Sequence, residues 1–215
     1  MEFTPEEVAA LAAEREGRRL EWKSGLPRDE KTARSLAAFA NTRGGILLVG
    51  VGDHGEILGA PHPRETLASL RRIAREVIDP PLDVACGLTT VHDRPIAWCS
   101  VPLSPRRPHA VLRADGSREI VVRAGSSNRA ATGATLAALQ RGRTSKPRLG
   151  ALERSVLSWV EQRAGSRPGG DATADAFARA HNIGRQRARR AFTDLERAGL
   201  LVAHGAGARR AYSIP

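Results

Sequence analysis

The order of hydrophobic and polar positions over the first 140 residues alternates between two periods. Apolar residues at helical spacing predict helices at 5–16, 28–41, 64–78 and 132–142. Short apolar runs separated by turn residues predict strands at 19–25, 46–52, 82–90, 95–102, 109–113 and 119–123. The run "ILLVGVG" is continuous, which is typical of a central strand buried on both faces. The pattern therefore predicts a mixed α/β domain, of the α+β type, with an antiparallel-rich sheet.

A different pattern begins after residue 150. Amphipathic helices are predicted at 151–164, 171–183 and 184–199. An apolar strand follows and returns through Tyr212, so the segment has the three helices and two-stranded wing of a small winged helix-turn-helix domain. The stretch before it is basic, contains Pro147 and has no hydrophobic period, which predicts a linker. The predicted organisation is an α/β domain, a basic linker and a winged helix, at 1–142, 143–150 and 151–215.

Charge is distributed unevenly along the chain. The formal net charge is +11, from 34 basic and 23 acidic residues. Residues 141–215 carry 15 of the basic and 6 of the acidic residues, so most of the excess lies at one end. A concentrated positive field is expected of a protein that binds a polyanion, and nucleic acid is therefore the predicted partner.

Several classes of protein are disfavoured by what the sequence lacks. No apolar run has the length of a membrane span, and the acidic, amphipathic N-terminus does not resemble a signal peptide, so we expect a cytoplasmic protein that does not enter a membrane. Cys86 and Cys99 are the two cysteines, and we interpret them as small core residues. No Cys/His cluster has zinc spacing, and no GxxxxGK[ST] loop is present, so neither a zinc site nor a Walker-type ATP site is expected.

The third predicted helix of the C-terminal segment is rich in arginine. Its first half contains Arg185, Arg187, Arg189 and Arg190. The start of a recognition helix meets base edges and phosphates, and arginine binds both, so we predict contact with nucleic acid there. The predicted wing would add backbone contacts through Arg209 and Arg210. The alternatives are a solvated, arginine-rich surface and a protein-interaction module.

Four motifs of the first domain occur together and in a fixed order. They are "EGRRLEWK", "AAFANTRGGILLVGVGDHGEILG", "VPLSPRRPHAV" and "IVVRAGSSNRAA". From about Glu16 to Gln140 the chain resembles the Schlafen/AlbA-type domain. In bacteria a winged helix often follows this domain, and many such proteins are called transcriptional regulators. In the animal Schlafens the same domain is an RNA endonuclease that acts on tRNA and similar structured RNA.

The resemblance also implies a set of site residues. The Schlafen nuclease site uses two glutamates, spaced E-x4-E before an aromatic residue and a lysine, and one aspartate after the glycine-flanked apolar strand, with a divalent metal. The matching positions here are Glu16, Glu21, Lys23 and Asp53. The resemblance therefore implies that the three acids bind Mg²⁺ or Mn²⁺, which accept carboxylate oxygens and polarise a phosphodiester.

The spacing of the two glutamates limits how they can meet. Residues five apart face opposite sides of one straight strand, so Glu16 must lie on a preceding turn or helix end if Glu21 is on the strand. Lys23 shares a strand face with Glu21, and it either pairs with a carboxylate or meets the scissile phosphate. The alternative for the acids is ordinary structure: Glu16 closes the first helix, and Asp53 begins a turn before Gly55.

The motif "RAGSSNRAA" is interpreted as a polar, basic loop. Its residues Arg123, Ser126, Ser127 and Arg129 are predicted to grip a backbone phosphate, with neutral loop chemistry as the equally weighted alternative.

Two functions remain open from the sequence. The first is a metal-dependent endoribonuclease that acts on tRNA or other structured RNA, and the filled acidic triad favours it narrowly. The second is a non-enzymatic transcriptional regulator that binds duplex DNA through the winged helix, with the first domain used for dimerisation or ligand sensing. The Schlafen nuclease core places two such domains side by side and this chain has one, so we also predict a homodimer.

Overall fold

The computed structural model describes residues 2–131, 133–141, 149–164, 172–205 and 210–215. The chain divides into two compact units, residues 1–130 and 131–215, called unit 1 and unit 2 below. This division falls before the helix that the sequence assigned to the end of the first domain. Most of the predicted linker, residues 143–148, lies outside the described residues.

Residues 2–130, the described part of unit 1, form three helices and eight strands. The helices are α1 (Pro5–Ala13), α2 (Asp29–Thr42) and α3 (Pro63–Glu76). The strands are β1 (Leu20–Lys23), β2 (Gly45–Val49), β3 (Ile78–Asp79), β4 (Ala85–Val91), β5 (Arg94–Val101), β6 (Ala110–Leu112), β7 (Arg118–Ala124) and β8 (Ser127–Ala130). Thr4 caps α1 by accepting a hydrogen bond from the backbone of Glu7, whose side chain bonds back to the backbone of Thr4.

The strands of unit 1 form two four-stranded sheets. The first has the order β1-β2-β5-β4, and the second has the order β3-β6-β7-β8. Strand β1 runs parallel to β2, and the other strand pairs of these two sheets are antiparallel. The prediction of a mixed, antiparallel-rich α+β domain is confirmed.

The first sheet is covered on both faces, as the unbroken apolar run at β2 indicates. Leu47 and Val49 face one cluster of buried residues together with Phe39 of α2. Leu48 faces a second cluster, which it shares with Val8 of α1. Alternating residues of one strand therefore serve two separate cores.

Helix α2 is the central helix of unit 1. Ten of its fourteen residues are buried, and many of them are alanines or other small residues that allow close approach of the neighbouring strands. The turn that follows the helix contains a glycine, Gly44, with φ of +71°. A Cβ there would lie 2.7 Å from the carbonyl oxygen of Val101, so this turn requires glycine.

The described part of unit 2 contains four helices and two strands. They are α4 (Gly133–Arg141), α5 (Ala151–Ala164), α6 (Ala174–Ala180), α7 (Arg185–Arg197), β9 (Val202–His204) and β10 (Ala211–Ser213). Strands β9 and β10 pair antiparallel. The core includes Trp159, Phe177 and Phe192, whose rings meet edge to face. Among the described helices of both units, none has the length and apolarity needed to cross a membrane.

Candidate functional site

The motif "EGRRLEWK" bends between its two glutamates. Glu16 lies in the loop that follows α1, and Glu21 lies inside β1. The Oε1 atom of Glu16 accepts a hydrogen bond from the backbone N–H of Trp22 at 2.7 Å, which holds the loop against the strand. The predicted break between the two acids is therefore confirmed.

Lys23 joins the two carboxylates. Its Nζ atom lies 3.5 Å from Oε1 of Glu16 and 3.2 Å from Oε1 of Glu21. It also donates to the carbonyl oxygen of Trp22 at 2.6 Å. Of the two roles considered for this lysine, the structure shows the ion pair, and the ammonium lies between the two acids.

Glu21 is buried and has a partner on each oxygen. Oε1 accepts a hydrogen bond from the hydroxyl of Ser35 at 2.9 Å, and Oε2 lies 2.6 Å from Nη1 of Arg123. Burial alone would raise the pKa of Glu21, but the charges of Arg123 and Lys23 and the Ser35 hydrogen bond outweigh it. The net result is a pKa below the ordinary value, so the side chain is a carboxylate at neutral pH.

Arg123 lies in the interior and not in a phosphate-gripping loop. Its side chain is 1% exposed. It donates to the carbonyl oxygen of Gly17 from Nε and Nη2, at 3.1 and 2.8 Å, and to Oδ1 of Asn128 at 2.9 Å. Its guanidinium carbon lies 5.0 Å from the centre of the Phe39 ring. The guanidinium group of Arg123 is therefore engaged by other residues of unit 1.

The rest of the "RAGSSNRAA" motif forms a hairpin and not a free loop. Ser126 lies in the turn between β7 and β8 and is exposed, whereas Ser127 and Arg129 lie on β8, the first half-buried and the second exposed. These three residues are the part of the predicted phosphate site that lies at the surface.

Sequence reasoning missed two members of the buried network. The Nδ2 atom of Asn128 donates to the hydroxyl of Ser35 at 3.0 Å, and Ser35 in turn donates to Glu21. One signal was present, because Ser35 interrupts the apolar face of the predicted helix at 28–41. A buried polar residue on such a face needs a polar partner.

Asp53 lies apart from this network. It is exposed in the turn after β2. The same turn contacts α1 and Trp22: a Cβ on Gly55 would lie 2.3 Å from the carbonyl oxygen of Ala12 and 3.6 Å from the Trp22 ring. Trp22 and Glu21 are adjacent on β1, so their side chains point to opposite faces of the sheet.

The three acids therefore do not form one donor set in this arrangement. Within the described ranges, no group of three or more His, Cys, Asp or Glu side chains is placed to hold a metal ion. Glu16 and Glu21 meet around an ammonium, and both oxygens of Glu21 are occupied by Ser35, Lys23 and Arg123. The side chains as they lie do not fit Mg²⁺ or Mn²⁺, which need free carboxylate oxygens.

Helix α7 places its arginines in two different environments. Ala188 and Phe192 are buried on its inner face, and Arg185, Arg187 and Arg190 are exposed on its outer face. Arg187 and Arg190 form no ion pair or hydrogen bond with the parts of the chain that the structure describes.

The other predicted contact residues of unit 2 differ from these. Arg189 is held by Asp175 of α6 through two contacts, at 3.0 and 2.8 Å. Arg210 pairs with the buried carboxylate of Glu196 at 2.5 Å. Arg209 lies outside the described residues. Among the predicted contact residues that the structure describes, Arg187 and Arg190 have no ion pair or hydrogen bond, and both lie on the exposed face of α7.

An open groove with a volume of about 840 Å³ lies along this face of α7. It is lined by Gly184, Gln186, Arg187, Arg189, Arg190, Thr193, Asp194 and Arg197. Four guanidinium groups and one carboxylate give it a positive charge, and Gln186 and Thr193 add neutral hydrogen-bonding groups. Such a surface is suited to an extended anion.

Comparison with known proteins identifies one family. Residues 16–132 match the family described as Schlafen, AlbA_2. Comparison with curated proteins finds no match. Among solved structures, the chain is similar to the N-terminal domain of a RecG-related protein from Nitrosomonas europaea and to the DIP2311 protein from Corynebacterium diphtheriae.

Both structural likenesses are distant. Sequence identity is 20% in each case, and the TM-scores are 0.44 and 0.45. The matches cover 68% of this chain and 100% of the first protein, and 75% of this chain and 38% of the second. Neither likeness supports a statement about function.

Proposed function

Since the chain belongs to the Schlafen, AlbA_2 family, which indicates a nucleic-acid-binding role, we propose that it binds nucleic acid through the exposed face of α7. The observation that carries this proposal is the pair Arg187 and Arg190, two exposed arginines on the outer face of α7 that have no partner within the described residues. Guanidinium groups in this state lose little on binding phosphate, because no internal ion pair has to be broken.

Duplex DNA is the proposed target of this face. The order of three helices and an antiparallel strand pair in α5–α7 and β9–β10 supports a winged helix-turn-helix, in which α7 takes the place of the recognition helix. Its exposed arginines lie in the first half of the helix, where such helices meet base edges. The protein would then act as a non-enzymatic transcriptional regulator.

The test is a binding titration of the whole protein by fluorescence anisotropy, with random-sequence duplex DNA and with total tRNA. The double variant Arg187→Ala/Arg190→Ala should bind duplex DNA at least about tenfold more weakly at moderate salt. The matched control, Arg154→Ala/Arg163→Ala, removes the same charge from α5. Equal losses in the two variants, or an unchanged affinity in the first, would refute α7 as the contact surface.

A metal-dependent endoribonuclease acting on tRNA or other structured RNA is the second candidate. It is favoured by the convergence of Glu16 and Glu21 on Lys23, since these match three of the four positions that the Schlafen resemblance implies. No catalytic step is assigned to a metal, because the carboxylates as they lie do not fit one.

The nuclease is tested by incubating the protein with total tRNA, with Mg²⁺, with Mn²⁺ and with chelator. Glu16→Gln is the informative variant, because Glu16 is exposed and its loss leaves the buried network of Glu21 in place. Cleavage that requires metal and disappears in Glu16→Gln would establish the enzyme. Intact RNA under all conditions would leave DNA binding as the function.

The predicted homodimer is also part of this proposal, because a winged-helix dimer matches the two-fold symmetry of a palindromic site. Size-exclusion chromatography with light scattering measures it directly. A mass of twice the 23.0 kDa chain is expected, and a strict monomer at the concentrations that bind DNA would contradict it.

A further inference from the structure

The two cysteines of the chain are direct neighbours across two antiparallel strands. Cys86 of β4 is in register with Cys99 of β5, and their Sγ atoms lie 2.9 Å apart. Directly opposed residues have Cα separations of about 4.5–5.5 Å, inside the range that a disulfide accepts. The sulfurs need to approach by only about 0.9 Å to reach the S–S bond length of about 2.0 Å.

The pair lies where one thiol can be reached and the other is protected. Cys99 is fully buried in the main core of unit 1, and Cys86 is half-buried at its margin on strand β4, which ends its sheet. A guanidinium nitrogen of Arg71 donates to the backbone carbonyl oxygen of Cys86 at 2.9 Å, which places a positive charge beside the outer thiol.

The ionisation of the two thiols is also asymmetric. The hydrogen bond between the two thiols and the charge of Arg71 lower the pKa of Cys86, while burial opposes them. The hydrogen bond to Cys86 and burial raise the pKa of Cys99 well above its ordinary value. The outer sulfur is therefore the better nucleophile of the two, and the inner sulfur keeps its proton.

We propose that Cys86 and Cys99 form a reversible dithiol/disulfide couple, in which Cys86 is the thiol that reacts with an oxidant and Cys99 is the resolving thiol. The oxidant class that fits a half-buried thiol at a sheet margin is a small hydroperoxide. The couple fits a reducing compartment, where disulfides are transient and form on oxidation.

The reaction balances in two steps. The Cys86 thiolate attacks the terminal oxygen of the hydroperoxide, and an S–O bond forms as the O–O bond breaks. That oxygen stays on Cys86 as the sulfenic acid, and the other peroxide oxygen leaves as an alcohol or water after taking up a proton. The Cys99 sulfur then attacks the Cys86 sulfenic acid, the S–S bond forms, and the hydroxyl leaves as water with the thiol proton. Two thiols are oxidised by two electrons, and one hydroperoxide is reduced.

The first test is titration of the whole protein with hydrogen peroxide, followed by mass spectrometry without reduction. The mass of the monomeric wild-type chain should fall by two hydrogens, and neither cysteine should then react with an alkylating reagent. Dithiothreitol should restore both thiols. In Cys99→Ser the reaction should stop at a Cys86 sulfenic acid that a dimedone probe traps. Cys86→Ser should react at least tenfold more slowly. Retention of both thiols in the wild type, or equal reactivity of the two single variants, would overturn the proposal.

The second test separates the fold from the mere presence of two cysteines. The protein is equilibrated with glutathione buffers in its native state and in concentrated urea. If the strands bring the thiols together, the native protein should form the disulfide at a ratio of oxidised to reduced glutathione at least tenfold lower than the ratio that the unfolded chain requires. By linkage, the oxidised protein should then melt at a higher temperature than the reduced one. An equal or higher required ratio in the native state would show that the sheet opposes the bond.

Discussion

Nη1 of Arg123 and Oε2 of Glu21 lie 2.6 Å apart inside unit 1, and neither side chain has appreciable exposure. The pair joins β7 of the second sheet to β1 of the first, across 102 positions of sequence. Two motifs that the sequence assigned to different tasks, an acidic site and a phosphate loop, are therefore the two halves of one buried ion pair.

Removing one member of this pair should destabilise unit 1. Glu21→Gln leaves the Arg123 charge buried without its counter-ion, and the expected loss is about 3–5 kcal/mol in the free energy of unfolding. Arg123→Met should cost less, since the buried carboxylate keeps Lys23 and Ser35 as partners. Chemical denaturation followed by circular dichroism measures both values.

The double variant Glu21→Gln/Arg123→Met distinguishes a specific pair from two independent sites. We expect the double variant to lose less free energy of unfolding than the sum of the two single variants, by at least about 1 kcal/mol. The reason is that neither member of the pair remains to be buried without the other. Strictly additive losses would mean that the two side chains do not interact in solution.

The stability of unit 1 should depend on acid through Glu21. Its pKa is lowered in the folded state, so the unfolded chain binds the proton more readily and the stabilisation is present above the ordinary glutamate pKa of about 4.3. It is lost as the pH falls from that value through the lowered folded pKa. Melting temperatures between pH 6 and pH 3 should therefore fall more steeply for the wild type than for Glu21→Gln. Parallel curves would exclude Glu21 as a contributor.

Asn41 should be required for the packing of α2 on the second sheet. Its amide nitrogen donates to the carbonyl oxygens of His109 and Val121 at 2.9 and 2.8 Å, and its oxygen accepts from the backbone N–H of His109 at 2.8 Å. Asn41→Ala leaves these buried groups without partners and should cost at least about 2 kcal/mol.

Asn41→Asp is the informative companion because it keeps the volume and the acceptor but loses the two donated bonds. It should be destabilised at neutral pH at least as much as Asn41→Ala, because a carboxylate would face two carbonyl oxygens. A stable Asn41→Asp protein would show that the donated bonds contribute little.

The arginines of α7 should differ in how their loss changes the salt dependence of DNA binding. Each phosphate contact contributes about 0.9 to the slope of log affinity against log salt. Arg187→Ala/Arg190→Ala should reduce the slope by up to about 2, whereas Arg189→Ala should change it less, because Asp175 already neutralises that residue. The slopes are measured by anisotropy at several salt concentrations. A larger change for Arg189→Ala would reverse this assignment.

The periodic parts of the fold were predictable because they depend on neighbouring residues. The alternating and unbroken runs located β5 and β7 to within one residue and β2 to within three, and the helical spacing located α2, α3 and α7 to within two. The odd spacing of Glu16 and Glu21 also required a bend before β1 if the two side chains were to meet, since the geometry of a strand is a local property.

The local sequence did not determine which polar groups meet. The family resemblance implied Asp53 as the third partner of Glu16 and Glu21, whereas in the structure Glu21 contacts Arg123 and Ser35, and Asp53 lies in an exposed turn. The sequence shows where a carboxylate is but not its counter-ion, which can be a metal ion, a neighbouring lysine or a distant arginine. The packing of β7 and α2 against β1 brings Arg123 and Ser35 to Glu21, and the energy of that arrangement comes from contacts far apart in the chain. The sequence determined most of the helices and strands and their buried faces, and the tertiary structure alone decided which charged groups pair.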